Sequence, residues 1–390
     1  MRKMNVAHLQ PGMALARTVW NERGDLLISP GTPLTEPRIA KLRDLGFLSA
    51  YVADGDASDE IAVREAVEEQ TRRGAANRVR EMYASVAGRE EGAALAQGRS
   101  GRTILQCANE AGQFLSGVLG SVTGILNEVL AGDLVLGLAA LKTRDHYAFE
   151  HAVDTAVMGA LLAAKIRMES RELRAVVAGS LVMDLGNVVV PPTILNKHGT
   201  LSAAEHETME QHTEAGYEIV RSMGLEDILA AHIPWQYHER QDGKGYPRGL
   251  FGNNKLARTR QQLLDGRYIL QVAEVAAIAN VYDALTSDRP YRDALPAAEA
   301  VETLETLAGS HLNREMVAAF ISLVPVWPLG TRVRLWGQPW HGSLAVVSEQ
   351  DRFDANRPVV RLIESVDGDS LDEEVRLVLH SDLELRPSSD

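Results

Sequence analysis

Four side chains in the middle of the chain have the types and settings from which a helical protein builds a metal centre. His151 lies in DHYAFEHAVDTAVMGALLAAK, on a helical segment whose apolar side includes Val153, Val157 and Leu161. Asp184 follows the apolar run AVVAGSLVM and precedes LGN, so a carboxylate falls where a buried helix should end. A buried charge needs a partner, a metal or water. His212 lies in MEQHTEAG, and His238 opens HERQDGKGYPRG, whose DGKG and Gly-Tyr-Pro elements dictate a fixed loop. Each histidine alone has a plainer reading as a packed or surface residue. Histidine and carboxylate converging from separate helices is how a helical domain holds a transition metal.

The elements that must bring them together follow from local pattern. From about Thr103 to Leu323 the chain reads as almost entirely helical. Ser202-Ala-Ala-Glu205 has capping-box form and opens a long amphipathic segment ending near Gly224. Before this region, residues 1–55 alternate short apolar runs with Gly and Pro, which predicts short strands with one small helix, about Glu36–Leu45. Residues 56–102 are charge-rich with apolar residues at helical spacing and predict a solvated connecting helix, a signalling or dimerising helix being the alternative. After Trp327-Pro328, the β-branched runs VRLW, SLAVV, PVVRLI and VRLVL predict a small antiparallel sheet or barrel. The expected architecture is mainly α: a helical domain over 103–325, flanked by small β-rich modules at 1–55 and 326–390.

Composition narrows the function classes. Hydrophobic residues make up 45% and charged residues 24%, the balance of a globular protein with ample core. A net charge of −13 excludes a broad DNA- or RNA-binding surface but leaves room for a local basic pocket. The single cysteine, Cys107, excludes an internal disulfide framework and a CxxC metal site. No apolar run reaches the ~18 residues of a membrane span. MRKMNVAHLQPG has no apolar stretch behind its basic residues, so a cytoplasmic protein is expected.

Five motifs in order carry a family resemblance: LVMDLGN, ILNKHGTLS, MEQHTEAGYEI, YHERQDGKGYPRGL and NVYDALTSDRPYR. Together they resemble the HD-GYP family of bacterial cyclic-di-GMP phosphodiesterases, over roughly residues 145–324. The flanks resemble modules often found on either side of that domain. The resemblance implies a helical HD-type fold and two or three metal ions, commonly iron or manganese. These would activate a water to attack a phosphodiester. It implies His151, Asp184, His212 and His238 as metal ligands. It also implies Tyr246, Arg289 and Arg292 as contacts to the cyclic dinucleotide and its phosphates, arginine pairing bidentately with phosphate.

Several family positions are substituted. The His-Asp doublet reads Met183-Asp184, the first histidine of a His-His pair is Tyr237, and the last metal aspartate is Asn280. Asn187 stands where the family has a lysine that contacts phosphate, and Tyr147 replaces an optional glutamate ligand. Residues 251–267 form an enlarged connection. Four ligands from a set of seven or eight imply one iron or manganese ion at partial occupancy, or none. His146, His198 and His232 are possible substitutes by type. On a regular helix, however, His146 diverges from His151 by about 140°, and His232 from His238 by about 120°. The expectation is a degenerate HD-GYP protein that binds cyclic-di-GMP, a related cyclic dinucleotide or a signalling partner with little or no hydrolysis, Asp184 being the residual catalytic group. The alternatives are a working phosphodiesterase with an atypical metal centre, and a ligand-free scaffold; a homodimer stays open.

Overall fold

The computed structural model describes residues 2–20, 26–53, 66–87, 104–132, 147–197, 199–225, 227–288, 294–327, 329–350, 355–370, 376–378 and 384–387. The fold is mainly α, with small sheets toward both ends. At the N-terminal end, β1 (Arg2–Asn5) pairs antiparallel with β4 (Ser49–Val52), and β2 (Val19–Trp20) pairs with β3 (Leu26–Ile28). Helix α1 (Glu36–Asp44) has proline in its first turn and buries Ile39 and Leu42 in this module's own core, with Leu15, Val19 and Leu34. At the C-terminal end, β5 (Arg332–Trp336), β6 (Leu344–Glu349), β7 (Val359–Glu364), β8 (Arg376–Val378) and β9 (Glu384–Pro387) form an antiparallel sheet in the order β8-β7-β6-β5-β9. Its alternation places Val333, Leu335, Ala345, Val347, Val360 and Leu362 in a third core.

Between these modules lies the helical core. Helices α5 (Tyr147–Lys165), α6 (Ser170–Leu181), α9 (Ile228–Gln236) and α11 (Gln271–Thr286) pack on one another, and α8 (Ala203–Ser222) packs on α9. Helix α5 is buried nearly all round, as expected for a central helix. The capping box predicted at Ser202 is present: Ser202 Oγ accepts from Glu205 N–H, and the Glu205 carboxylate accepts from Ser202 N–H. Helices α12 (Ala297–Leu307) and α13 (Arg314–Ile321) close the far side of α11.

The region expected to hold a solvated connecting helix is different. Helix α2 (Glu69–Ala87) buries Ala75, Val79, Met82, Tyr83 and Val86 in the same core as α5 and α6, against α3 (Ile104–Gly112) and α4 (Leu115–Ala131). Its apolar residues recur at three- and four-residue spacing, one stripe of a helix, and that stripe outweighs the surrounding charge. Residues 54–65 and 88–103 lie outside the described residues. The enlarged connection also holds regular structure, α10 (Arg260–Leu264), capped by a Thr259–Gln262 box. Among the described residues no single helix is long and apolar enough to cross a membrane; the bent pair α3–α4 passes on composition, but its apolar stripe packs into the core.

Candidate functional site

The candidate residues come from the C-terminal end of α6, the middle of α8 and the end of α9, which pack together, and from α5 where it packs on the middle of α11. Helix α6 stops at Val182, and Met183 and Asp184 lead into a 3-10 turn, Leu185–Val189. Gly186 lets this turn nest on α8: a Cβ there would lie 1.9 Å from the His212 carbonyl oxygen. That close approach sets Asp184 beside His212. Pro234 inside α9 packs over Gly216, and α9 then ends at Tyr237 and His238.

Two hydrogen-bonded clusters result. In the first, His151 Nδ1 lies 2.5 Å from Asp283 Oδ2, and its Nε2 lies 2.8 Å from Asn280 Oδ1. His151 Nδ1–H donates to this carboxylate. Nε2 of a neutral ring then needs the Asn280 amide turned to present its NH2, since an amide's O and N are assigned from such partners. Tyr147 stacks on His151, with ring centroids 5.7 Å apart at 7°. Asp283 was not singled out from sequence; its position three residues after Asn280, on the same face of α11, is the signal that would have found it.

In the second cluster, the Tyr237 hydroxyl stands between His212 and Asp184. It donates to Asp184 Oδ1 at 2.9 Å and lies 2.9 Å from His212 Nε2. His212 Nδ1–H donates to the Met209 carbonyl at 2.6 Å. Burial, followed by the nearby Asp184 charge, pushes the Tyr237 phenol well above its usual pKa, so it stays a neutral donor. One ring nitrogen of His212 and one oxygen of Asp184 are thus hydrogen-bonded to protein groups, and the phenol oxygen sits against the other His212 nitrogen.

His238 is held by rings. It lies 4.0 Å from Tyr237, stacks on Tyr246 at 4.7 Å and 21°, and meets His212 edge-on at 5.2 Å. Burial, then the His212 and His206 charges, hold its pKa down at about 3, so the ring is neutral. His206, edge-on to Tyr246 at 6.5 Å and 3.2 Å from Glu210, is a further member of the cluster that nothing in the sequence marked. Tyr246 sits at the loop's tip, where a Cβ on Gly245 would strike the backbone of Glu239 and Arg240. Glu239 pins the loop by accepting from Arg248 N–H and Leu250 N–H, each at 2.8 Å.

The other expected positions divide. Met183 is fully buried in the main core, and Asn187 is half-buried in the 3-10 turn. His232 belongs to another cluster, hydrogen-bonded to Gln236 and packed near Tyr217 and Trp235, so it does not replace a ligand. Arg289, Arg292, His146 and His198 lie outside the described residues.

Does this donor set fit a metal? Among the described residues no three His, Cys, Asp or Glu side chains gather closely enough to hold one. His151 has both nitrogens hydrogen-bonded, and His212 has one hydrogen-bonded and the other against the Tyr237 phenol oxygen. Met183 offers only a thioether, a poor partner for hard ions. The arrangement does not fit a bridged metal pair.

A family model described as "HD domain" matches residues 139–257. The central part of the chain is similar to HD domains. It is 33% identical over 55% of this chain to the cyclic di-GMP phosphodiesterase PA4108 of Pseudomonas aeruginosa, covering 48% of that protein. It is 38% identical over 36% of the chain to a cyclic di-GMP phosphodiesterase of Thermotoga maritima, covering 34% of it. It is 32% identical over 47% of the chain to the 3'3'-cGAMP-specific phosphodiesterase 2 of Vibrio cholerae, covering 33% of that protein. The chain thus spans about half or less of the length of these relatives. A solved structure of Bd1817, an HDG"Y"P protein from Bdellovibrio bacteriovorus, aligns with 82% of this chain and 97% of its own at a TM-score of 0.41 and 14% identity, too distant to bear on the HD site.

Proposed function

We propose that the HD domain binds a cyclic dinucleotide, cyclic-di-GMP or a close relative, and turns it over slowly or not at all. The observation that carries this reading is the Tyr237 phenol joined to both His212 and Asp184, so that the groups expected to hold metal hold each other. A bridged metal pair would activate the attacking water and neutralise charge on the phosphoryl oxygens, and the described donor set does not offer one. The ligand side is better kept. Tyr246 is fixed by Gly245 and Glu239, and the motif SDRPYR supplies Arg289 and Arg292 for the phosphates. The names of the relatives support the ligand class.

A second reading has one observation in its favour. The His238 ring is neutral and makes no hydrogen bond among the described residues, so its lone pair is available to a single iron or manganese ion. One purified sample separates the two. Metal content, cyclic-di-GMP turnover with added iron or manganese, and calorimetric binding are measured together. Binding with less than a metal pair and negligible turnover is the expected result. Two tightly held ions with rapid hydrolysis would overturn it.

A further inference from the structure

Helix α2 lies outside the residues matched by the HD family model, yet two of its side chains end at the candidate site. Arg72 is ion-paired with Asp154, which lies one turn along α5 from His151. Tyr83, about three turns further along α2, is 4% exposed and sets its ring edge-on to Phe149 at 5.6 Å. Its hydroxyl is buried without a hydrogen-bond partner. Helix α2 packs on the 3-10 turn that Asp184 opens, and burial, then the Asp184 charge, raise the Tyr83 phenol well above its usual pKa. Of the Asp184 oxygens, Oδ1 takes the Tyr237 hydroxyl, and Oδ2 has no hydrogen bond among the described residues.

An orphaned buried hydroxyl costs free energy, and a phenylalanine would fill the same space against Phe149 without that cost. Packing alone therefore gives no reason for a tyrosine at this position. We propose that Tyr83 is a positioning residue whose hydroxyl holds the second oxygen of Asp184, directly or through one water. The carboxylate is then gripped by two phenols, Tyr237 from α9 and Tyr83 from α2. Asp184 in turn fixes the Tyr237 ring, the neighbouring His238 follows, and His238 carries Tyr246 stacked on it. The N-terminal helix thereby sets the geometry of the ligand loop. This inference rests on the cyclic dinucleotide reading for its effect on affinity, and on Tyr83 and Asp184 alone for its geometry.

The test compares the full-length wild type, Tyr83→Phe and Glu81→Gln, the last on the exposed side of α2. Expected is a drop in cyclic-di-GMP affinity of roughly fivefold or more for Tyr83→Phe, about one hydrogen bond's worth, with Tm unchanged or raised. Glu81→Gln should change neither. A raised Tm with unchanged affinity would show that the hydroxyl holds nothing and overturn the proposal. Should the wild type bind no cyclic-di-GMP, the functional reading fails and a second measurement decides this one. A crystal structure that resolves waters should show Tyr83 Oη joined to Asp184 Oδ2 directly or through an ordered water; a dry gap there overturns the proposal.

Discussion

A phenol and an imidazole differ at Tyr237 in a way that decides the chemistry. An imidazole brings a lone pair for a metal, whereas the phenol brings one proton and spends it on Asp184. Reversal must therefore be multiple. The triple variant Met183→His, Tyr237→His, Asn280→Asp should gain tightly bound metal by elemental analysis, and adding Asn187→Lys should help turnover. Single reversions should gain little, because ligands of one centre act non-additively. Full metal loading by any single reversion would refute this account. On the ligand side, Arg289→Ala with Arg292→Ala should weaken cyclic-di-GMP binding by at least about ten- to a hundredfold in calorimetry, each charged contact being worth ~1.5–3 kcal/mol. Undiminished affinity would place the ligand elsewhere. Asp184, His212 and His238 were singled out because each stands in one of the five motifs, and His151 because a histidine stands on an apolar helical segment. His206 and Tyr83 were not, since an amphipathic helix shows only which face is buried, never which hydroxyl on it is left unpartnered.

At the scale of elements, the enlarged connection is pinned, and the pin is buried. Arg258 is paired at 2.6 Å with Glu274 on α11, the two side chains being 3% and 1% exposed. Gln241 Nε2 and Asn313 Nδ2 donate to the same carboxylate. Burial raises the Glu274 pKa despite these partners. Arg258→Met should destabilise the protein by ~3–5 kcal/mol, since it strands a buried charge. Losing Arg258 raises the folded-state pKa of Glu274 further. A carboxyl whose folded pKa exceeds its unfolded value favours the folded state at low pH and loses that contribution as pH rises. The variant's deficit in urea unfolding should thus be larger at pH 7.5 than at pH 5; equal deficits would show that Glu274 carries no stranded charge. The expectation of a solvated helix at 56–102 failed at this scale for a physical reason. The charge of the whole segment masked the stripe Ala75, Val79, Met82, Val86, which alone decides burial.

For the whole molecule, four apolar clusters form among the described residues, and α2 contributes its stripe to the largest, which it shares with α5 and α6. That membership has a consequence for how the chain can be divided. A helix that contributes a buried stripe to a core does so whether or not a peptide bond joins it to the next helix, because the apolar surface it covers is the same. The protein made as two polypeptides, residues 1–90 and 101–390, should therefore reassemble and elute together from a sizing column. The larger piece alone, with the groove that α2 fills laid open, should aggregate. A well-behaved monomer from residues 101–390 alone would mean that α2 is dispensable. If the pieces do reassemble, mixing wild-type and Tyr83→Phe versions of the smaller fragment with one preparation of the larger would turn the N-terminal helix into an interchangeable subunit, titrated like any other ligand of the domain it completes.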